Sequence, residues 1–187
     1  MYNLALGTNN MDDIIILTGP IGVGKSTQAK LLSKKLGKPV CVYDEVKDNY
    51  RYKIGLSREK ALAINLEHGV YAMLQYMNEF KSKILEPIIN DHPGHIIDLG
   101  AGAHSFDEPH QLERASQAFS SAKDILLLMP STDLETNIRS LPGLKENYEV
   151  NTFLMMHHTN KLFATKTIYT LNKTPDEVCI DILHQLE

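Results

Sequence analysis

Short, unbroken runs of apolar residues alternate along the chain with longer stretches of helical spacing. Ile14-Ile15-Ile16-Leu17 is the first run, and it stops at Gly19. A run without polar interruption reads as a strand buried on both faces, as in a parallel sheet. Val40–Tyr43, His95–Leu99, Ile125–Met129 and Lys166–Leu171 repeat the type, which makes five candidate strands. Helices lie between them. Ala29, Leu32 and Leu36 mark one face of the first, which Gly37 and Pro39 end. Leu62, Leu66, Val70, Met73, Met77, Phe80, Ile84 and Ile88 advance in steps of three and four. They predict one long helix with a continuous apolar stripe, capped by Ser57, with Gly69 as a candidate break and Pro87 kinking or ending it. Its methionines read as core filler, and the stripe fits either inward packing or pairing across a dimer. Two later helices are announced by capping boxes, Thr132 with Glu135 and Thr174 with Glu177, the second with Pro175 at its first helical position. Strand–helix alternation throughout predicts an α/β fold with a mostly parallel sheet. Right-handed crossovers then place a ligand outside the carboxyl ends of the strands.

Composition narrows the class. The 187 residues favour one domain, long enough to bury roughly 70% of its unfolded surface without a staple. Residues 1–11 read as a loose N-terminal tail, with neither the basic start nor the apolar run of a secretory leader. That leaves 12–187 as the domain. The 19 basic and 23 acidic residues give a net charge of −4, which argues against a generally basic nucleic-acid binder. No apolar run reaches the ~18 residues of a membrane-spanning helix. Cys41 and Cys179 stand far apart in hydrophobic contexts and read as reduced core thiols of a cytoplasmic protein, monomer or homodimer. The eight histidines read as surface or loop residues: His92 and His95 straddle a turn, and the neighbours His157 and His158, on a helix, should diverge.

The chemistry begins at Gly19-Pro20-Ile21-Gly22-Val23-Gly24-Lys25-Ser26, followed by Thr27. This is a G-x-x-x-x-G-K-[ST] phosphate loop between a buried strand and an amphipathic helix, the context the motif requires. Glycines let successive N–H groups turn toward phosphate oxygens, and the helix adds its positive dipole end. Lys25 would meet the β- and γ-phosphates and the Ser26 hydroxyl would ligate Mg²⁺. The metal also needs a carboxylate. Asp98 closes the third strand and Asp44 the second, with Glu45 beside it. Gly100, Ala101 and Gly102 follow Asp98, small enough for an acceptor to lie against their backbone. Arg51 and Arg58 are candidates to bind an anionic acceptor. Arg139, with Lys145, is placed to meet charge developing on a transferring phosphoryl group. Leu141–Tyr148, with Pro142, Gly143 and no apolar stripe, reads as a mobile lid.

Together these residues resemble the P-loop small-molecule kinases, shikimate kinases foremost. The likeness rests on GPIGVGKST, the acid after the second strand, the Gly-rich turn after the third, and the closing strand–Thr174-Pro175-Asp176-Glu177-Val178–helix. It implies a three-layer α/β/α P-loop kinase fold with a five-stranded parallel sheet in the order 2-3-1-4-5. It implies ATP as donor, Mg²⁺ as cofactor, and a small-molecule hydroxyl acceptor. It sets Asp44 near that hydroxyl and the metal, Gly100 and Gly102 along the acceptor, and Thr174 and Pro175 against adenine. The chain departs from the family at Val46, where a second acid is usual, at Ala101 within the glycine triplet, and in a lid with Arg139 and no second arginine. The family's acid-binding arginine falls near Thr159. Three functions follow: phosphotransfer to a small-molecule hydroxyl, a nucleoside or nucleotide kinase, or an ATP-binding regulator with weak ATPase activity.

Overall fold

The sheet is organised around the most apolar run. β1 (Ile15–Thr18) is buried at every residue and lies centrally. It pairs in parallel with β3 (Ile96–Asp98) on one side and β4 (Asp124–Met129) on the other. β2 (Val40–Val42) flanks β3, and β5 (Lys166–Tyr169) flanks β4, so the order is 2-3-1-4-5. The computed structural model describes residues 13–141 and 144–186, with backbone only at 144–147. The expected tail at 1–11 lies outside them. No helix among the described residues is long and apolar enough to cross a membrane.

Helices cover both faces. On one, Ile16, Ile97 and Phe106 pack with Ile84, Leu85 and Ile88; on the other, Ile15, Leu17 and Leu126 pack with Leu32 and Ile182. Each large aliphatic side chain so enclosed contributes roughly 1.5–3 kcal/mol. α1 (Lys25–Leu36) ends as expected, at a left-handed Gly37 whose N–H bonds the Ser33 carbonyl. α8 (Pro175–Leu186) opens on the expected reciprocal box: Glu177 N–H donates to Thr174 Oγ1 at 3.3 Å, and Thr174 N–H to Glu177 Oε2 at 2.7 Å.

Elsewhere the structure corrects the pattern. The cap of α5 (Leu134–Ser140) is Asp133, whose carboxylate accepts the Thr136 N–H at 2.7 Å, not Thr132. Aspartate caps at least as well as threonine, and it stands one residue closer to the helix. In α3 (Arg58–Asn90) Ser57 is the cap and the break falls at Gly69 (φ 84°, ψ 174°), as expected, but the helix runs on through Pro87. The stripe divides there. Ile84 and Ile88 are in the core, Met73 and Met77 are half-buried rather than core filler, and Leu62, Leu66 and Val70 are 60%, 87% and 60% exposed. The extended residue takes the first part of α3 off the face that the second part covers.

The remaining helices are α2 (Tyr43–Lys53), α4 (Pro109–Phe119), α6 (Leu144–Met156) and α7 (Thr159–Phe163). α2 begins where β2 was expected to continue, so Asp44 and Glu45 lie in its first turn instead of closing a strand. The stretch expected as a lid is helical from Leu144 onward, while Pro142 and Gly143 lie outside the described residues.

Candidate active site

The turn between β1 and α1 is shaped by its glycines. Gly19 has φ 140°, and a Cβ there would stand 2.3 Å from the Leu128 carbonyl oxygen of the neighbouring strand. Backbone against backbone cannot give way, so only glycine fits. Gly24, at φ 102°, is the residue preceding α1, whose first N–H groups have no partner within the helix. Lys25 is buried, and its Nζ donates to the carbonyls of Gly19 and Pro20, each at 2.9 Å. Desolvation holds its pKa below the usual lysine value, opposed by the nearby charges of Asp98 and Asp44.

Parallel pairing sets Leu17 opposite Asp98, so this acid stands beside the start of the turn. Ser26 Oγ donates to Asp98 Oδ2 at 2.5 Å, and the other carboxylate oxygen accepts the Gly100 N–H at 3.4 Å. A Cβ at Gly100 would lie 3.0 Å from Asp44 Oδ2. Lys25, Ser26, Asp98, Asp44 and Gly100 therefore meet at one corner. Asp44 is the open member, 59% exposed and paired with Lys47, and the N-terminus of α2 favours its charge. Glu45 and Thr27 are exposed.

Two residues without a sequence signal brace this corner. Asn151, fully buried on α6, accepts the Ile21 N–H at 2.8 Å and donates Nδ2 to the Ile21 carbonyl at 3.3 Å. Gln28 on α1 donates to the Pro175 carbonyl at 2.9 Å, which brings the Thr174-Pro175 turn to the flank of the phosphate loop.

The Gly-rich turn after β3 is held from below by another unforeseen residue. Lys81 on α3 donates to the carbonyls of Gly102 (3.1 Å) and Ser105 (3.0 Å), and lies 4.7 Å from the centre of the Phe106 ring. Burial lowers its pKa to about 8, with Arg51 acting in the same direction and Asp107 against it. A cavity of about 940 Å³ opens here, lined by Lys81, Gly102, Asp107 and Phe153 among others. Arg51 points inward: its side chain is 11% exposed, it pairs with Asp48 at 3.4 Å, and its Nε is buried without a partner. Arg58 pairs with the same Asp48 at 3.1 Å but is 70% exposed. Arg139 is 76% exposed and paired with Glu135, one turn back on α5. The side chain of Lys145 lies outside the described residues.

Not all histidines are superficial. His104 is buried between Thr18 Oγ1, 3.0 Å from Nδ1, and Asn160 Oδ1, 2.9 Å from Nε2. The Asn160 amide donates to the carbonyls of Leu154 and Met155, so its oxygen accepts from His104 Nε2–H, and Nδ1 accepts from Thr18. Burial pushes the pKa of His104 down to about 4 and keeps it neutral. His157 is also buried. It and His158 occupy the link between α6 and α7 rather than a helix, so their rings stack at 4.7 Å instead of diverging. Thr159, where the family's acid-binding arginine falls, is fully buried with its hydroxyl on His157.

No family model matches the chain. It is 30% identical over 174 residues to a shikimate kinase of Dehalococcoides mccartyi, a match spanning 90% of each chain. Among solved structures it is similar to a shikimate kinase from Acinetobacter baumannii in complex with shikimate, with a TM-score of 0.61, 17% identity, and 93% and 92% of the two chains covered. A shikimate kinase from Bacteroides thetaiotaomicron gives a TM-score of 0.57 at 16% identity, covering 93% of this chain and 98% of that one. At these identities the structural likeness bears on the fold alone, and the 2-3-1-4-5 sheet agrees with it.

Proposed function

The chain belongs to the shikimate kinase family, and on that footing we propose that it moves the γ-phosphoryl of ATP to a hydroxyl of a small, carboxylate-bearing acceptor. The observation that carries the reading is the single corner holding Lys25, the Ser26–Asp98 pair and Asp44 at the mouth of the phosphate loop. The loop N–H groups and the α1 dipole hold the phosphates, and Lys25 neutralises the oxygens between the β- and γ-positions. A hydroxyl and a carboxylate 2.5 Å apart are the hard oxygen donors that suit Mg²⁺. The ion would offset charge on the phosphate oxygens. Asp44 orients the acceptor hydroxyl and accepts its proton, and Thr174 and Pro175 border the base. Arg139 stabilises the transferring group after leaving Glu135, since an exposed pair costs little to break.

The acceptor side supports an anion. Lys81 has two of its three donors on backbone carbonyls, which leaves one, and Arg51 keeps an unpartnered Nε. Lys81 beneath the Gly100–Gly102 turn, with the Arg51 charge near enough to act on it, favours a carboxylate over a neutral sugar. Use of ATP and two buried free thiols support a cytoplasmic enzyme. The test is coupled ADP release with hydroxy acids including shikimate, sugar acids, neutral sugars and nucleosides. Turnover is expected with carboxylate-bearing alcohols. Turnover with nucleosides alone, or release independent of any acceptor, overturns the reading.

A further inference from the structure

The linker between α6 and α7 brings three groups together that the phosphotransfer chemistry does not use. Asp107, on the segment leading from the Gly-rich turn to α4, sets Oδ1 3.4 Å from His157 Nε2 and 3.9 Å from His158 Nδ1. One ligand atom from each residue lies within 4.8 Å of the others. We propose that Asp107, His157 and His158 form a binding site for a divalent transition-metal cation, zinc foremost, separate from the Mg²⁺ position at Ser26 and Asp98.

The second observation concerns His157 itself. Its side chain is 3% exposed, yet Nε2 is buried with no hydrogen-bond partner, because the Asp107 carboxylate is near but misaligned. On the other side of the ring, Nδ1 sits 2.7 Å from Thr159 Oγ1 and 3.4 Å from the Thr159 backbone nitrogen, whose N–H points to it. With Nδ1–H donated to that hydroxyl, in place of the longer contact from the Thr159 N–H, Nε2 turns a lone pair toward Asp107 and His158. With the proton on Nε2 instead, a buried N–H lacks an acceptor, at about 1–3 kcal/mol. A cation answers the first arrangement and removes the second. The Thr159 hydroxyl then serves as the outer partner that metal-bound imidazoles ordinarily have.

The donor set fits the cation class. Two imidazole nitrogens and a carboxylate suit zinc, cobalt or nickel, whereas Mg²⁺ prefers oxygen and keeps its waters. Bonds of about 2.0–2.1 Å in a tetrahedral site put ligand atoms roughly 3.3 Å apart, near the 3.4 Å edge already present. Closing the longer edges requires His158 to rotate out of its stack on His157. Both movable ligands are exposed, His158 at 55% and Asp107 at 76%, so the ring stack is the main contact that rotation gives up. A cavity of about 620 Å³ lies beside the two imidazoles and leaves room for water in the remaining coordination position. The bound cation would tie the segment after the Gly-rich turn to the junction of α6 and α7.

The experiment titrates Zn²⁺ into the full-length protein in saturating Mg²⁺ by calorimetry, with Co²⁺ absorption as a check on nitrogen ligation. One Zn²⁺ per chain is expected, together with a rise in melting temperature. Asp107→Asn and His158→Ala should each weaken binding about tenfold or more. Neither should lower the melting temperature without metal, since both side chains are exposed. His68→Ala, at an exposed histidine elsewhere, should bind as the unaltered chain does. Absence of Zn²⁺ binding, binding unaffected by Asp107→Asn and His158→Ala, or equal displacement by Mg²⁺ would each overturn the proposal. None of these readouts depends on kinase turnover, so the site and the enzymatic reading fail separately.

Discussion

On the donor side of the sheet what is held is the backbone of one short loop. Gly19 presses against the Leu128 carbonyl, Lys25 is bonded to its own loop, and Ile21 is clasped by Asn151. On the acceptor side the same task falls to charged side chains of α2 and α3: Asp44 with Lys47, Arg51 and Arg58 sharing Asp48, and Lys81 under Gly102. The first kind of site is specified by glycine positions within one short segment. The second is specified by charge pairs along α2 and between α2, α3 and the Gly-rich turn, and it changes whenever a partner does. A family can thus keep its donor while its acceptor varies, which is the direction of this chain's departures at Val46, Ala101 and the lid.

The largest effect expected is on Asp44, the residue where the two sides meet. Asp44→Asn should lower turnover by about 10²–10⁴ with little change in ATP affinity, whereas Asp98→Asn should raise the Mg²⁺ requirement. Coupled ADP release across a Mg²⁺ titration separates them, and wild-type turnover in Asp44→Asn would place Asp44 outside the chemistry. Next comes acid. His104 joins Thr18 on the donor strand to Asn160 on α7. Its folded pKa of about 4 lies below the ordinary 6.5. As pH falls below 6.5 the unfolded chain takes up the proton first, so this contribution to stability is complete above 6.5 and lost progressively toward 4. The loss is on the order of 3 kcal/mol. Urea midpoints between pH 7 and 4 should show that slope, and His104→Gln should flatten it.

Lys81→Met isolates the acceptor side. It should raise the acceptor KM by roughly tenfold to a hundredfold, since a charged hydrogen bond is worth about 1.5–3 kcal/mol, while leaving the ATP KM unchanged. Steady-state kinetics with each substrate varied in turn decide it, and parallel changes in both KM values would merge the two sides. The smallest contrast is between two glycines of the phosphate loop. A Cβ at Gly24 meets nothing within 4 Å, whereas at Gly19 it meets backbone. Gly24→Ala should therefore cost only the left-handed backbone penalty, about 1–2 kcal/mol, and Gly19→Ala more than that. Denaturation midpoints of the two variants give the comparison, and equal losses would mean that the contact with Leu128 relaxes freely.

What could be read from the sequence follows the same division. β1, β3 and β4 were legible because strands covered on both faces are unbroken apolar runs, and the phosphate loop because its glycines are local. The strand order came through the family resemblance, not through spacing. α6 went unread because the inward face it presents includes a polar residue, Asn151, next to Leu154 and Met155. The stripe of α3 was visible, but its burial was not, since an extended Gly69 decides which half covers the sheet. Asp133 displaced Thr132 as a cap because two good caps stand side by side. Lys81 and His104 carried no signal: their hydrogen-bond partners lie 21 to 86 residues away. His157 and His158 were misplaced because α6 stops at Met156, one residue before them.

Asn151 pairs with both backbone groups of Ile21 much as an adjacent strand would, from a helix whose far end leads directly to His157 and His158. A nucleotide on the phosphate loop and a cation at that far end then bear on the position of the same rod. The consequence is one of reciprocity. Whatever factor the cation imposes on nucleotide affinity through α6, the nucleotide imposes the identical factor on the cation, so measuring either equilibrium in the presence of the other ligand reads the coupling free energy between the two sites, and Asn151→Ala would show the share that the clasp carries.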